Sequence, residues 1–198
     1  MAPNSRVARD PYLWQNDDVL KNRLDIHDAA QLRKAELAFS AARLATLELG
    51  PATIGLPFLR HIHRTLFQDL YVWAGELRTI DIWRDDTPFC HFEYIEKEGN
   101  TLMDALEEEE GLRNLEEADF ATRIAHYYCE IAMLHPFRAG NGRAQRIFFE
   151  QLALHAGYFL DWQKVEPAQW REACQAGADG DLAPLEAVFA RVVSRAIL

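Results

Sequence analysis

The chain has 198 residues, 49% hydrophobic and 26% charged, and its 21 Lys and Arg against 31 Asp and Glu give a net charge of −10. A chain of this length buries roughly 70% of its unfolded surface in one domain without metal or disulfide staples. Three cysteines with no C-x-x-C pair argue against a secreted disulfide framework, and the negative charge disfavours a direct nucleic-acid partner. Nothing near Met1 reads as a leader and no apolar run reaches membrane-spanning length, so the sequence predicts a cytoplasmic location with no membrane contact.

Residues 1–27 are polar and irregular and are expected to be an N-terminal extension packed on a single domain of residues 28–198. Asp28 suits the N-cap of a helix over Ala29 to Leu49, stopped by Gly50-Pro51, and Pro57 suits the first turn of a second over Pro57 to Tyr71. From Leu77 to Phe92 the pattern changes. Ile80 and Ile82 alternate with polar neighbours, and Arg84-Asp85-Asp86-Thr87-Pro88 supplies a turn, which predicts one small β-hairpin. Helical composition returns at Tyr94 to Leu112, Phe120 to Leu134, Arg143 to Ala156, Pro167 to Ala176 and Leu182 to Val193. The fold class is all-α with one hairpin. The acidic run Glu107 to Glu110 reads as a solvated helix end.

The chemistry concentrates between two of these helices, in His135-Pro136-Phe137-Arg138-Ala139-Gly140-Asn141-Gly142-Arg143-Ala144-Gln145-Arg146. Pro136 ends the preceding helix, and Gly140 and Gly142 let the backbone N–H groups converge where the next helix begins. That helix start, with its positive dipole end, is an anion site to which Asn141 can add an amide donor. Arg143 and Arg146 project from one face of the first turn, which the dipole disfavours unless an anion is present. Two guanidinium groups suit a polyphosphate, and His135 is placed to take a proton from an attacking hydroxyl. Taken singly, His135 is an ordinary loop histidine, each arginine a surface charge and Phe137 a core anchor; the joint spacing is what points to function. The dinucleotide and Walker phosphate patterns are both absent. His61 and His63, two apart on a helix, face apart and make no metal pair, and Cys90 reads as structural.

His-Pro-Phe-x-x-Gly-Asn-Gly-Arg-x-x-Arg resembles the signature of the Fic family of AMP-transferring enzymes. The segment Tyr71-Val72-Trp73-Ala74-Gly75-Glu76-Leu77-Arg78 is similar to the approach to that family's target-docking flap, and Asp10-Pro11-Tyr12-Leu13-Trp14 resembles the start of short stand-alone Fic toxins. The resemblance implies a Fic fold, ATP as substrate and a protein hydroxyl (Tyr, Ser or Thr) as acceptor. His135 would be the general base, Phe137 the loop anchor, Gly140, Asn141 and Gly142 the anion hole, and Arg143 and Arg146 the phosphate clamps. Ile80, Ile82, Trp83, Arg84 and Thr87 would form the docking flap. One position departs: the acidic residue usual before Gly-Asn-Gly is Ala139, which cannot ligate Mg²⁺. The metal would then be held through the ATP phosphates, and a catalytically weak nucleotide- or partner-binding module is the alternative. Gly142, where phosphate-transferring relatives have lysine, favours AMP transfer. No Ser or Thr is followed four residues later by Glu, so the inhibitory Ser/Thr-x-x-x-Glu helix of such proteins is expected on a separate small antitoxin. The likeness to the toxins suggests a DNA gyrase or topoisomerase IV ATPase subunit as target.

Overall fold

The computed structural model describes residues 9–52 and 55–196; the first eight residues of the predicted N-terminal extension and the last two of the predicted domain lie outside them. Among the described residues seven α-helices carry the fold, as the sequence predicts. Helix α1 (Ala29–Leu44) opens on the Asp28 carboxylate, which accepts the Gln31 N–H at 2.7 Å. It ends five residues before the predicted Leu49, where the Thr46 hydroxyl and N–H both turn back to the Arg43 carbonyl and compete with the helical ladder. Helix α2 (Leu56–Phe67) buries Leu56, Leu59, Ile62, His63, Leu66 and Phe67, the three-and-four spacing of one apolar face.

Helix α3 (Ile95–Glu108) follows the hairpin and leads into α4 (Glu117–Leu134). The acidic run at the end of α3 is exposed apart from Glu109, which takes the Arg123 guanidinium and, at 2.7 Å, the Tyr127 hydroxyl. Helices α4 and α5 (Asn141–His155) flank the glycine loop. Around them pack α2 against α5, α3 against α4, and the pair α6 (Pro167–Ala178) and α7 (Ala183–Val192) against α4. Phe120, Phe148, Phe149 and Phe189, all fully buried, fill the space between them.

The hairpin is shorter than the sequence suggests. Its strands β1 (Trp83–Arg84) and β2 (Thr87–Pro88) pair antiparallel, whereas Ile80 and Ile82 lie before them, the Ile82 carbonyl accepting the Phe89 N–H at 3.2 Å. A second antiparallel ribbon was not expected: β3 (Tyr158–Leu160) pairs with β4 (Val193–Arg195). Its signal is the alternation of buried Tyr158, exposed Phe159 and buried Leu160, too short to separate from loop, and the helical reading at the chain's end ran one residue into β4. The segment 9–27 lies over the domain, with Arg23 N–H on the Leu70 carbonyl at 2.7 Å and the Arg138 guanidinium on Asp10. Among the described residues no helix is long and apolar enough to cross a membrane.

Candidate active site

Helix α4 ends where His135 turns left-handed, φ 44° and ψ 61°, its N–H still bonded to the Ile131 carbonyl at 3.1 Å. Pro136 then forbids continuation, and the chain re-enters helix at Gly140 with φ +80°. A side chain at Gly140 would meet the Phe67 ring at 2.5 Å, so this glycine is required by both backbone and packing. Gly142 is exposed, and a Cβ there would meet nothing within 4 Å.

The underside of the loop is bolted down. Phe137 is buried and stacks on the His63 imidazole with centroids 3.9 Å apart. His63 Nδ1 accepts the Gly75 N–H at 2.9 Å while its Nε2–H donates to the Ala139 carbonyl at 2.9 Å, which fixes a neutral tautomer. Burial pushes its pKa down to about 4, with the Arg143 charge adding to the shift. The Asn141 side chain closes the loop upon itself: Oδ1 accepts the Phe137 N–H at 2.8 Å and Nδ2 donates to the Phe137 carbonyl at 2.6 Å. Its amide is therefore not the free anion donor the sequence suggests. The N–H groups of Asn141, Gly142 and Arg143, in the first turn of α5, have no acceptor within the helix.

Arg78, buried to 2% exposure, joins the loop to the hairpin. Its guanidinium donates to the carbonyls of His135 at 2.8 Å and Ile80 at 2.6 Å and also to that of Cys90, while its own N–H reaches the Pro136 carbonyl at 2.9 Å. One cation thus ties the end of α4 to both stems of the hairpin. Neither this residue nor His63 stands out in the sequence, where Arg78 is one of several polar residues, with Glu76, Thr79 and Asp81, among Leu77, Ile80 and Ile82.

The His135 ring stacks on Phe89 of the hairpin, centroids 3.8 Å apart, and Nδ1 donates to the Ala132 carbonyl at 3.2 Å, which leaves Nε2 as an acceptor. Burial lowers its pKa to about 4, and the charges of Arg84 and Arg78 add to this; the imidazole is neutral at pH 7. It lines two cavities. One, of about 570 Å³, runs from Phe89 and Gly142 to Trp170, Cys174 and Gln175 of α6. The other, of about 740 Å³, lies on the opposite side of the hairpin, among Ile80, Ile82, Trp83, Phe92 and Arg138. Arg84 and Phe89 line both, so the hairpin is the wall between them; Thr87 faces the first cavity only.

A chamber of about 420 Å³ over the start of α5 is lined by Tyr128, Gly140, Gly142, Arg143, Arg146 and Trp170. The two arginines do not stand there unrelieved, as the sequence alone implied. Arg143 reaches back to Glu36 of α1 at 2.8 Å, while Arg146 lies over the Trp162 and Trp170 rings at 4.7 and 5.9 Å. Among the described residues no carboxylate is within ion-pair distance of Arg146. No group of three His, Cys, Asp or Glu among the described residues could hold a metal ion. Ala139 offers a methyl, and its carbonyl is already bonded to His63.

Residues 53–153 match the family model described as Fic/DOC family. A protein of Escherichia coli (strain K12) called probable protein adenylyltransferase Fic is 58% identical over 189 residues, covering 96% of this chain and 94% of that one. Protein adenylyltransferase VbhT of Bartonella schoenbuchensis is 39% identical, over 84% of this chain and 35% of its own length. Among solved structures, BepC of Bartonella tribocorum with bound AMPPNP has a TM-score of 0.89 at 26% identity, covering 94% of this chain and 97% of that one. The N-terminal Fic domain of a Bartonella quintana protein with bound ADP has a TM-score of 0.86 at 27% identity, covering 93% and 95%.

Proposed function

As the chain belongs to the Fic/DOC family, we propose that it is a protein adenylyltransferase, moving AMP from ATP to a hydroxyl side chain of a target protein. The observation that carries this reading is the placement of His135 on both cavities at once. One cavity continues towards the start of α5 and suits the nucleotide; the other opens along the hairpin and suits the acceptor. The acceptor oxygen attacks the α-phosphorus, the bond from that phosphorus to the oxygen bridging the β-phosphorus breaks, and pyrophosphate leaves. The hydroxyl proton passes to Nε2 of His135, whose neutral state and Nδ1 contact leave that nitrogen ready to accept it.

The N–H groups of the first turn of α5, together with Arg143 and Arg146, receive the phosphates, and Phe137 holds the loop from below. Ala139 offers Mg²⁺ no side-chain oxygen, and its carbonyl accepts from His63, so Mg²⁺ would be held through the ATP phosphates. The hairpin around Ile80, Ile82, Trp83, Arg84 and Thr87 is the docking flap, and a short ribbon with open edges can take an extended target segment as an added strand. A separate antitoxin carrying Ser/Thr-x-x-x-Glu would find in Arg146 a cation with no carboxylate partner among the described residues. A DNA gyrase or topoisomerase IV ATPase subunit is the proposed target class.

The test is incubation with bacterial lysate and ATP labelled at either the α- or the γ-phosphate. Label from the α-position on protein supports AMP transfer, and label from the γ-position replaces it with phosphate transfer. Neither label, with ATP still bound, leaves the weak binding module that Ala139 favours.

A further inference from the structure

Arg143, third residue of α5, carries its charge where the helix dipole and Arg146 both oppose it. The charge is met from α1. Arg143 Nη2 donates to Glu36 Oε2 at 2.8 Å, and Nη1 donates to Ser40 Oγ at 3.1 Å and to the Glu36 carbonyl at 3.2 Å. The guanidinium carbon sits 5.1 Å over the Phe67 ring. Glu36 is itself held, its Oε1 accepting the Tyr71 hydroxyl, and its side chain is only 16% exposed.

All three hydrogen bonds fall on the two terminal nitrogens of the guanidinium. The Nε–H, which with the second Nη2–H forms the other edge of the fork, has no acceptor among the described residues. Arg143 also lines the chamber over the start of α5, and a guanidinium edge with two parallel N–H groups is the geometry that grips phosphate. We propose that Glu36 is a positioning residue for the nucleotide: it holds Arg143 by one edge so that the other is presented to a phosphate. It does so at the expense of one positive charge in the chamber. This rests on the adenylyltransferase reading and extends it to α1, outside the glycine-loop motif.

Position and charge separate in two variants. Glu36→Gln keeps an oxygen for Arg143 and removes only the negative charge. ATP should then bind about fivefold more tightly at low salt, the gain should fade as salt screens it, and kcat for transfer should stay within about twofold. Glu36→Ala releases the tether, and kcat/KM should drop at least about tenfold. Calorimetry with ATP gives the affinities, labelled transfer the rates and thermal melting the fold.

Conservative rescue by Gln together with loss in Ala supports the proposal. Wild-type behaviour of Glu36→Ala, or equal loss in both variants, overturns it. If Glu36→Ala does not fold, Ser40→Ala removes one acceptor from the same edge and should weaken ATP binding about threefold; unchanged affinity there overturns the proposal as well. A wild-type chain that binds no ATP would instead refute the nucleotide reading itself, before any variant is compared.

Discussion

The two faces of the loop between α4 and α5 are built on opposite terms. Beneath it, both ring nitrogens of His63 and the side chain of Asn141 are bonded to the loop's or its neighbours' backbone, and Gly140 leaves no space for one methyl group. Above it, among the described residues His135 Nε2 has no partner, Gly142 borders open volume and Arg146 lies over the Trp162 and Trp170 rings with no carboxylate at ion-pair distance. The contrast teaches that one short motif contains two populations of residues: those that hold the backbone rigid and those left free by that rigidity to meet a ligand. Glycine occurs in both, for unrelated reasons.

The contrast is sharpest at His135. Replacement by Ala should lower transfer by about a thousandfold while ATP affinity changes by less than threefold, because the residue is assigned to the acceptor's proton and not to the phosphates. Labelled transfer alongside calorimetry checks this, and transfer at the wild-type rate would remove His135 from the chemistry. Gly140→Ala forces a Cβ into Phe67 at a left-handed φ and should cost about 3 kcal/mol or more in urea unfolding.

The underside also carries a pH signature. Native His63 resists protonation down to about pH 4, whereas in the unfolded chain it takes a proton near 6.5. The unfolded state therefore gains protons first, and stability falls as pH drops from 6.5 towards 4, by about 3 kcal/mol for this residue. A His63→Gln chain should show a shallower fall in melting temperature over that interval. Smallest in its effect on the fold is Gly142→Ala, which should leave urea stability within about 1 kcal/mol. The new methyl would project towards the chamber, and ATP affinity should fall about tenfold. If Gly140→Ala were tolerated and Gly142→Ala were not, the division between the two faces would be wrong.

Much of this was legible in the sequence because its physics is local. Asp28 as N-cap, Pro57 near a helix start, and Pro136 with Gly140 marking the break between α4 and α5 act over a few residues. The motif loop was legible for the same reason. What escaped depends on partners far along the chain: Glu36 meets Arg143 107 residues later, His63 meets Ala139 76 residues later, and Arg78 meets His135 57 residues later. No periodicity encodes such pairs. The sequence took two arginines at a helix start to require a bound anion, but the charge on Arg143 is met by Glu36, a residue of the chain itself. The ribbon of β3 and β4 escaped because three-residue strands fall below the length at which alternation becomes a signal.

The cavity of about 570 Å³ beside His135 has its far wall in Trp170, Cys174, Gln175 and Leu185, all downstream of the motif loop. During synthesis the loop, its glycines and its histidine are translated before any of that wall exists, and α4 lacks the α6 and α7 pair that covers it. The apolar side of α4 that this pair buries, with Tyr128 and Cys129, is meanwhile bare. A nascent chain halted after α5 would thus carry the full signature with no enclosed site, and would present an adhesive helix surface to chaperones rather than a working enzyme to the cell.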